Sequence, residues 1–116
     1  MGLRAHNADA DADPNGPPNF KLIKFFTTAL SKGFIHLDTA DSDGTEREIG
    51  IAIKESGVPR DKLFITTKVS QDSWHDVPAA LQKSLEKLQL TYVDLYTSHI
   101  SFIYRFCFLS LLLSTI

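Results

Sequence analysis

The sequence predicts an α/β fold of parallel strands joined through helices, and three observations indicate it. Short apolar runs of strand length begin near residues 34, 63 and 92, so the strand starts are 29 residues apart. Apolar side chains at helical spacing lie between these runs. A repeat of this length is typical of a β/α unit, in which right-handed crossovers pair the strands in parallel. No glycine-rich loop follows a strand, which favours a (β/α) barrel over an open dinucleotide-binding sheet.

The three helices are each predicted from the residues at their ends. Asn19 is placed to cap the first helix, and Gly33 follows its last turn as a stop. Thr45 and Glu48 have the spacing of a capping box at the start of the second helix. Asp76 is the expected cap of the third. We therefore expect each helix to begin directly after its cap.

The three strands are predicted at Phe34–Asp38, Leu63–Thr67 and Tyr92–Tyr96. Their apolar and β-branched residues fit a pleated, largely buried sheet. The runs are short, as strands buried between helices usually are.

A polar residue stands at the C-terminal end of each predicted strand: Asp38, Lys68 and His99. Taken singly, each also fits a structural role, as a turn cap, a solvated charge or a partner for a backbone group. In barrel enzymes, however, the C-terminal strand ends share one mouth, and that mouth carries the chemistry. An acid, a base and an imidazole that meet there form a candidate proton-transfer site.

The two ends of the chain differ from the middle. Residues 1–19 are rich in Asp, Ala, Asn and Pro, and we expect a disordered, solvated arm. Asp11, Asp13 and Asn15 match the opening of a calcium loop, but the later ligands and the preceding helix are missing, so no metal site is expected. Residues 100–116 are almost wholly apolar. Arg105 interrupts that run, which leaves it too short to span a membrane, and we expect a tail outside the domain of residues 20–99.

Composition and charge exclude some classes of partner. The net charge is −2, and we expect no nucleic-acid partner, since such proteins usually carry a basic patch. Cys107 is the only cysteine, so no intrachain disulfide can form. A reducing, cytoplasmic location fits this cysteine usage best.

Three segments of the sequence carry a resemblance to a known family. They are the run from Gly33 to Gly50, which contains HLDTA and EREIG, the run LFITTKV at residues 63–69, and the run SLEKLQLTYVDLYTSH at residues 84–99. Together they resemble the aldo-keto reductases from about Phe20 to His99, with the spacings preserved. The resemblance implies a partial (β/α)8 TIM barrel of about strands two to four, not closed. It also implies NADPH as the cofactor and a small aldehyde or ketone as the substrate.

The resemblance also implies roles for individual residues. In this family a tyrosine donates the proton, a lysine paired with an aspartate lowers the pKa of that tyrosine, and a histidine orients the carbonyl. These roles would fall to Lys68, Asp38 and His99, with Asp38 also at the cofactor. The tyrosine position, five residues after the aspartate, holds Asp43 instead. A carboxylate beside Lys68 would accept protons rather than donate them.

We therefore expect an oxidoreductase-type chain that is inactive as it stands. A complete barrel needs about 250 residues, and in this family most contacts to the cofactor come from the later strands. We expect a truncated or incorrectly predicted gene product, or a splice variant. The alternative is a non-catalytic interaction module that associates with another copy or a related chain through open sheet edges.

Overall fold

The computed structural model describes Leu3 and residues 15–98, which form one α/β unit. Its helices are α1 (Phe20–Ser31), α2 (Glu46–Ser56) and α3 (Val77–Leu88). Its strands are β1 (His36–Asp38), β2 (Phe64–Val69) and β3 (Leu95–Ser98). Short 3₁₀ turns precede α2, β2 and α3, at Asp41–Asp43, Arg60–Lys62 and Gln71–Asp76. The predicted alternation of strands and helices is confirmed.

The three strands form a parallel sheet in the order β1-β2-β3. Leu37 lies beside Ile65 in the register of the first pair, and Lys68 lies beside Thr97 in the second. This sequential parallel order is the one a (β/α) barrel needs, so the fold class predicted from the sequence is confirmed.

The core lies between the sheet and the helices. Phe26 of α1, Ile49 of α2 and Leu88 of α3 have no exposed side-chain surface, and Leu37 and Ile65 meet them from the sheet. Alternation along a strand sends neighbouring side chains to opposite faces. His36 and Asp38, on either side of Leu37, therefore lie on the face turned away from the helices.

Two of the three predicted helix N-caps form in the structure. Asn19 accepts from the amides of Lys21 and Leu22 at 3.1 and 3.3 Å, and Asp76 accepts from the amide of Ala79 at 3.1 Å. Gly33, with a φ of 91°, ends α1 in a conformation that disfavours residues with a Cβ. Both predicted caps and the stop are therefore confirmed.

The prediction of a capping box at the start of α2 is wrong. The Thr45 side chain makes no capping hydrogen bond, because Thr45 is buried with its hydroxyl 3.5 Å from that of Thr39. The Glu48 carboxylate instead accepts from the Asn19 amide at 3.1 Å and joins α2 to α1. A contact between two helices has replaced a local contact that the spacing alone predicted.

The predicted strand bounds are also shifted. Phe34 and Ile35 lie outside β1 and are 43% and 56% exposed, because the chain is still leaving the end of α1. The second strand runs to Val69 rather than Thr67, and the third begins at Leu95 rather than Tyr92. The extension of β2 places Lys68 inside the strand, where both of its neighbours are fixed.

Two described parts of the N-terminal segment contact the domain. Leu3 forms a parallel bridge with Leu37: its amide donates to the His36 carbonyl at 3.0 Å, and its carbonyl accepts from the Asp38 amide at 2.9 Å. Leu3 therefore pairs with β1, although it lies in the range expected to form a solvated arm. Further along, the Gly16 carbonyl accepts from Arg47 Nη1 at 2.7 Å.

Candidate active site

Asp38 and Lys68 lie at the C-terminal ends of adjacent strands, as predicted, and they form an ion pair. Lys68 Nζ donates to Asp38 Oδ1, and it also donates to the Thr39 carbonyl at 3.1 Å. The two side chains are 16% and 31% exposed. At this burial the attraction is screened less than in a surface pair, and two acceptors fix the direction of the ammonium group.

Asp43 lies in the loop that joins β1 to α2. It ends the 3₁₀ turn Asp41–Asp43, its amide donates to the Ala40 carbonyl at 3.0 Å, and its side chain is buried at 4% exposure. The turn packs against β2, the strand that carries Lys68. A carboxyl group therefore stands in the loop where the family resemblance requires a phenol.

His99 lies outside the described residues. It directly follows β3, whose last residue, Ser98, lies beside Val69 in the parallel register. The sheet therefore brings the strand that precedes His99 next to the strand that carries Lys68. The roles predicted for Asp38, Asp43, Lys68 and His99 remain predictions.

The turn after Lys68 brings Ser70 and Trp74 close to the C-terminal end of β2. Ser70 Oγ donates to Ser73 Oγ at 3.2 Å, which is a bond within the turn itself. Trp74 is 43% exposed, so its ring is available at the surface next to the strand ends.

A second polar cluster, which we call the Glu46 cluster, lies on the helix side of the sheet. It consists of Glu46, Thr67, Tyr96, Asp41 and Lys87. Thr67 Oγ1 donates to Glu46 Oε1 at 2.5 Å, and Lys87 Nζ lies 2.8 Å from Asp41 Oδ1 and 3.9 Å from Glu46 Oε2. Thr67 and Tyr96 are neighbours in the register of β2 and β3.

Burial and charge shift the acidities in the Glu46 cluster. Burial raises the pKa of Glu46 above its usual value, although Thr67, Ser84 and Lys87 oppose the shift. Burial and the nearby Glu46 and Asp41 carboxyls raise the pKa of Tyr96 to about 12. Burial also acts to raise the pKa of Asp41, but its hydrogen bond to Lys87 and the charge of that lysine outweigh burial, and the net shift is downward.

The sequence analysis did not identify the Glu46 cluster. Glu46 and Glu48 lie in the first turn of α2, and their exposures are 1% and 5%. Glu46 follows the loop that holds Asp43, and Thr67 precedes Lys68. Their closeness to the predicted site was the one signal in the sequence that set them apart.

The described residues supply only some of the groups that would bind a nicotinamide cofactor. Lys68 supplies a fixed cation and Asp38 an acceptor, but no glycine-rich phosphate loop follows a strand within residues 15–98. Among the same residues, no cluster of three or more His, Cys, Asp or Glu side chains is arranged to hold a metal ion. No helix in the described part of the chain is long and apolar enough to cross a membrane. The predicted apolar tail, residues 100–116, lies outside it.

Comparison with known proteins agrees with this geometry. The model of the Aldo/keto reductase family matches residues 9–105. The NAD/NADP-dependent indole-3-acetaldehyde reductase of Schizosaccharomyces pombe is 46% identical over 84 residues, which are 72% of this chain and 29% of that protein. The glyoxal reductase of Bacillus subtilis is 49% identical over 73 residues, 61% of this chain and 26% of that protein.

A solved structure shares the fold as well as the sequence. An aldo/keto reductase from Brucella melitensis superposes with a TM-score of 0.64 at 37% identity, covering 68% of this chain and 32% of that one. The chain thus spans about a quarter to a third of the length of these relatives. Because the family model matches most of the chain and the parallel β/α order agrees with it, this chain belongs to the aldo-keto reductase family.

Proposed function

We propose that the chain carries the lysine–aspartate part of an NADPH-dependent carbonyl reductase site and does not itself reduce carbonyl compounds. The observation that carries this proposal is the pairing of Lys68 with Asp38. Asp43, in the neighbouring loop, stands where the family resemblance implies a tyrosine as the proton donor. The relatives named indole-3-acetaldehyde reductase and glyoxal reductase support small aldehydes as the substrate class.

The chemistry of the site follows from the fixed charge of Lys68. A cation held in place beside a phenol stabilises the phenolate, which lowers the pKa of the phenol and makes it a usable acid. A carboxylate in the same place is acceptor-only, so it has no proton to give to a developing alkoxide. The loss of a positioned general acid typically costs about 10²–10⁴-fold in rate. Bound NADPH would supply the hydride.

The test compares the chain with variants at position 43, using glyoxal and NADPH and following the loss of NADPH absorbance. The unaltered chain is expected to show no glyoxal-dependent oxidation. Asp43→Tyr supplies a phenol at this position and should gain turnover only where the chain binds NADPH, and Asp43→Phe is the matched control, since it adds the ring without the hydroxyl. Turnover by the unaltered chain that disappears in Lys68→Met would contradict the inactive assignment.

Cofactor binding is measured separately, by titrating the chain with NADPH while following fluorescence and circular dichroism. In the aldo-keto reductases most contacts to the cofactor come from strands later than the three described here, so we expect no saturable binding by a folded chain. Saturable binding would show that the remaining residues complete a cofactor site. The proposed location is the cytoplasm, for which the single cysteine is the support.

A second candidate function is association with another copy of the chain. The observation that favours it is a contiguous apolar group at the start of β1 and β2. Phe34, Ile35 and Phe64 are each between 43% and 56% exposed, and the Phe64 amide donates to the Ile35 carbonyl at 2.8 Å. Exposed apolar patches often mark interaction sites. Sedimentation over a range of concentrations tests this candidate, and Phe64→Ser should abolish any dimer.

A further inference from the structure

We propose that Glu46 is a positioning residue for Lys68, acting through Thr67, and that its hydrogen bond fixes the distance between the loop of Asp43 and the lysine. The proposal rests on the proposed function only in taking Lys68 as the functional lysine. It concerns a side-chain hydrogen bond on the helix side of the sheet, in which neither Asp38 nor Lys68 takes part.

The argument begins with where β1 ends. The strand pairs with β2 only from His36 to Asp38, opposite Phe64 to Thr66. The bond from the Thr39 amide to the Thr66 carbonyl, at 2.8 Å, is one further main-chain contact on that side. Thr67 and Lys68 therefore extend beyond the end of β1 and pair in the sheet with β3. A strand end with main-chain hydrogen bonds to one neighbouring strand moves more easily than one bonded on both sides.

On the β1 side, side-chain hydrogen bonds hold this strand end in place of main-chain hydrogen bonds. Lys68 Nζ reaches back to the Thr39 carbonyl at 3.1 Å on one face of the sheet. Thr67 Oγ1 reaches Glu46 Oε1 at 2.5 Å on the other face. Because Thr67 and Lys68 are consecutive, these two bonds hold the strand end from both faces.

Glu46, the acceptor of the Thr67 hydrogen bond, lies where the loop after β1 meets α2. It is the first residue of α2 and follows the loop 39–45, which contains Asp43. The hydroxyls of Thr39 and Thr45 lie 3.5 Å apart across the base of that loop. One hydrogen bond therefore connects the end of the loop to the residue before the lysine.

The surroundings of the bond make it costly to lose. Glu46 and Thr67 are 1% and 0% exposed, so water does not replace a missing partner. Lys87 and Ser84 face the carboxyl from α3, Asp41 from the preceding turn, and Tyr96 from β3. Several elements thus converge on this carboxyl group.

The test measures the chemical accessibility of Lys68, which requires neither NADPH nor turnover. The folded chain is acetylated briefly with acetic anhydride, and the modification rate of each lysine is read by peptide mass spectrometry. Thr67→Val removes the hydroxyl and keeps the shape. We expect Lys68 to be modified about fivefold faster in this variant. The loss of one hydrogen bond should raise by about that factor the fraction of molecules in which Lys68 is accessible to the reagent. Exposed Lys54 should keep its rate.

Three comparisons separate positioning from general destabilisation. Thr67→Ser and Glu46→Gln both retain the oxygen atoms of the bond, so the rate of Lys68 should remain that of the unaltered chain. Glu48→Leu is the matched control, because it removes a buried carboxylate in the same helix turn that accepts from the Asn19 amide instead. It should lower the free energy of unfolding without any change in the modification rate of Lys68.

The outcomes are distinct. An unchanged Lys68 rate in Thr67→Val, or an equal increase in Glu48→Leu, would overturn the proposal. If Thr67→Val does not fold by circular dichroism, Thr67→Val combined with Glu46→Met replaces both partners by apolar groups, and the same increase is expected. Because no cofactor is used, failure of the carbonyl reductase assignment would not alter these rates, and failure here would leave that assignment standing.

Discussion

Gly50→Ala is the substitution for which the structure gives the sharpest prediction. Gly50 lies in α2 at its contact with the end of α3. A Cβ at this position would lie 2.6 Å from the Leu88 carbonyl oxygen, 2.7 Å from the Leu88 carbonyl carbon and 2.8 Å from the Lys87 carbonyl oxygen. All three atoms belong to the backbone, so no side-chain rotation relieves the overlap.

The magnitude follows from two opposing terms. Alanine in place of glycine favours a helix by about 1 kcal/mol. Overpacking in a well-packed interior costs about 1–3 kcal/mol, and the upper end applies because the last turn of α3 must move as a unit. The net loss is about 2 kcal/mol, and for a domain of this size that lowers Tm by about 8–16 °C.

Thermal and urea unfolding followed by circular dichroism measure this loss. Lys54→Ala, on the exposed face of the same helix, is the control and should change stability by no more than about 0.5 kcal/mol. Gly50→Ala with a free energy of unfolding equal to or above that of the unaltered chain would refute the reasoning. Helix propensity would then outweigh the close approach.

Three further variants test the buried polar groups. Because burial raises the pKa of Glu46, the native state keeps its proton to higher pH than the unfolded state, so stability falls as pH rises above the usual pKa of a glutamate carboxyl. Glu46→Gln should therefore have the same free energy of unfolding as the unaltered chain in acid and a higher one towards neutral pH. Urea unfolding at several pH values measures this, and an equal dependence on pH in both proteins would contradict the prediction. Tyr96→Phe removes a buried hydroxyl that has no hydrogen-bond partner among the described residues, and it should raise the free energy of unfolding by about 1 kcal/mol, while Tyr92→Phe leaves it unchanged. Asp94→Ala removes the acceptor of Arg60 Nη2 at 2.7 Å and of the Ile65 amide at 2.8 Å, and it should cost about 2–4 kcal/mol in the same assay, against no change for exposed Asp61→Ala.

The sequence by itself determined the order of elements and the location of the predicted site. Local signals were sufficient for this, because Asn19 and Asp76 cap helices through bonds to residues two or three positions away. Parallel pairing follows from the β/α repeat, and it brings Asp38 and Lys68 to one end of the sheet. The replacement of the expected tyrosine by Asp43 is also visible in the sequence alone.

The tertiary structure decided which polar residues are buried and what they bond to. Thr45 and Glu48 have the spacing of a capping box, but Glu48 bonds to Asn19, 29 positions away, since α1 and α2 pack together. The local sequence does not show that Glu46 is buried, because its burial comes from the packing of α2 on the sheet, where it bonds to Thr67 of β2. Local spacing describes competition within a few residues, whereas these bonds depend on which elements meet. The need for glycine at position 50 has the same cause, because it arises from the close approach of α3 and not from the conformation of α2.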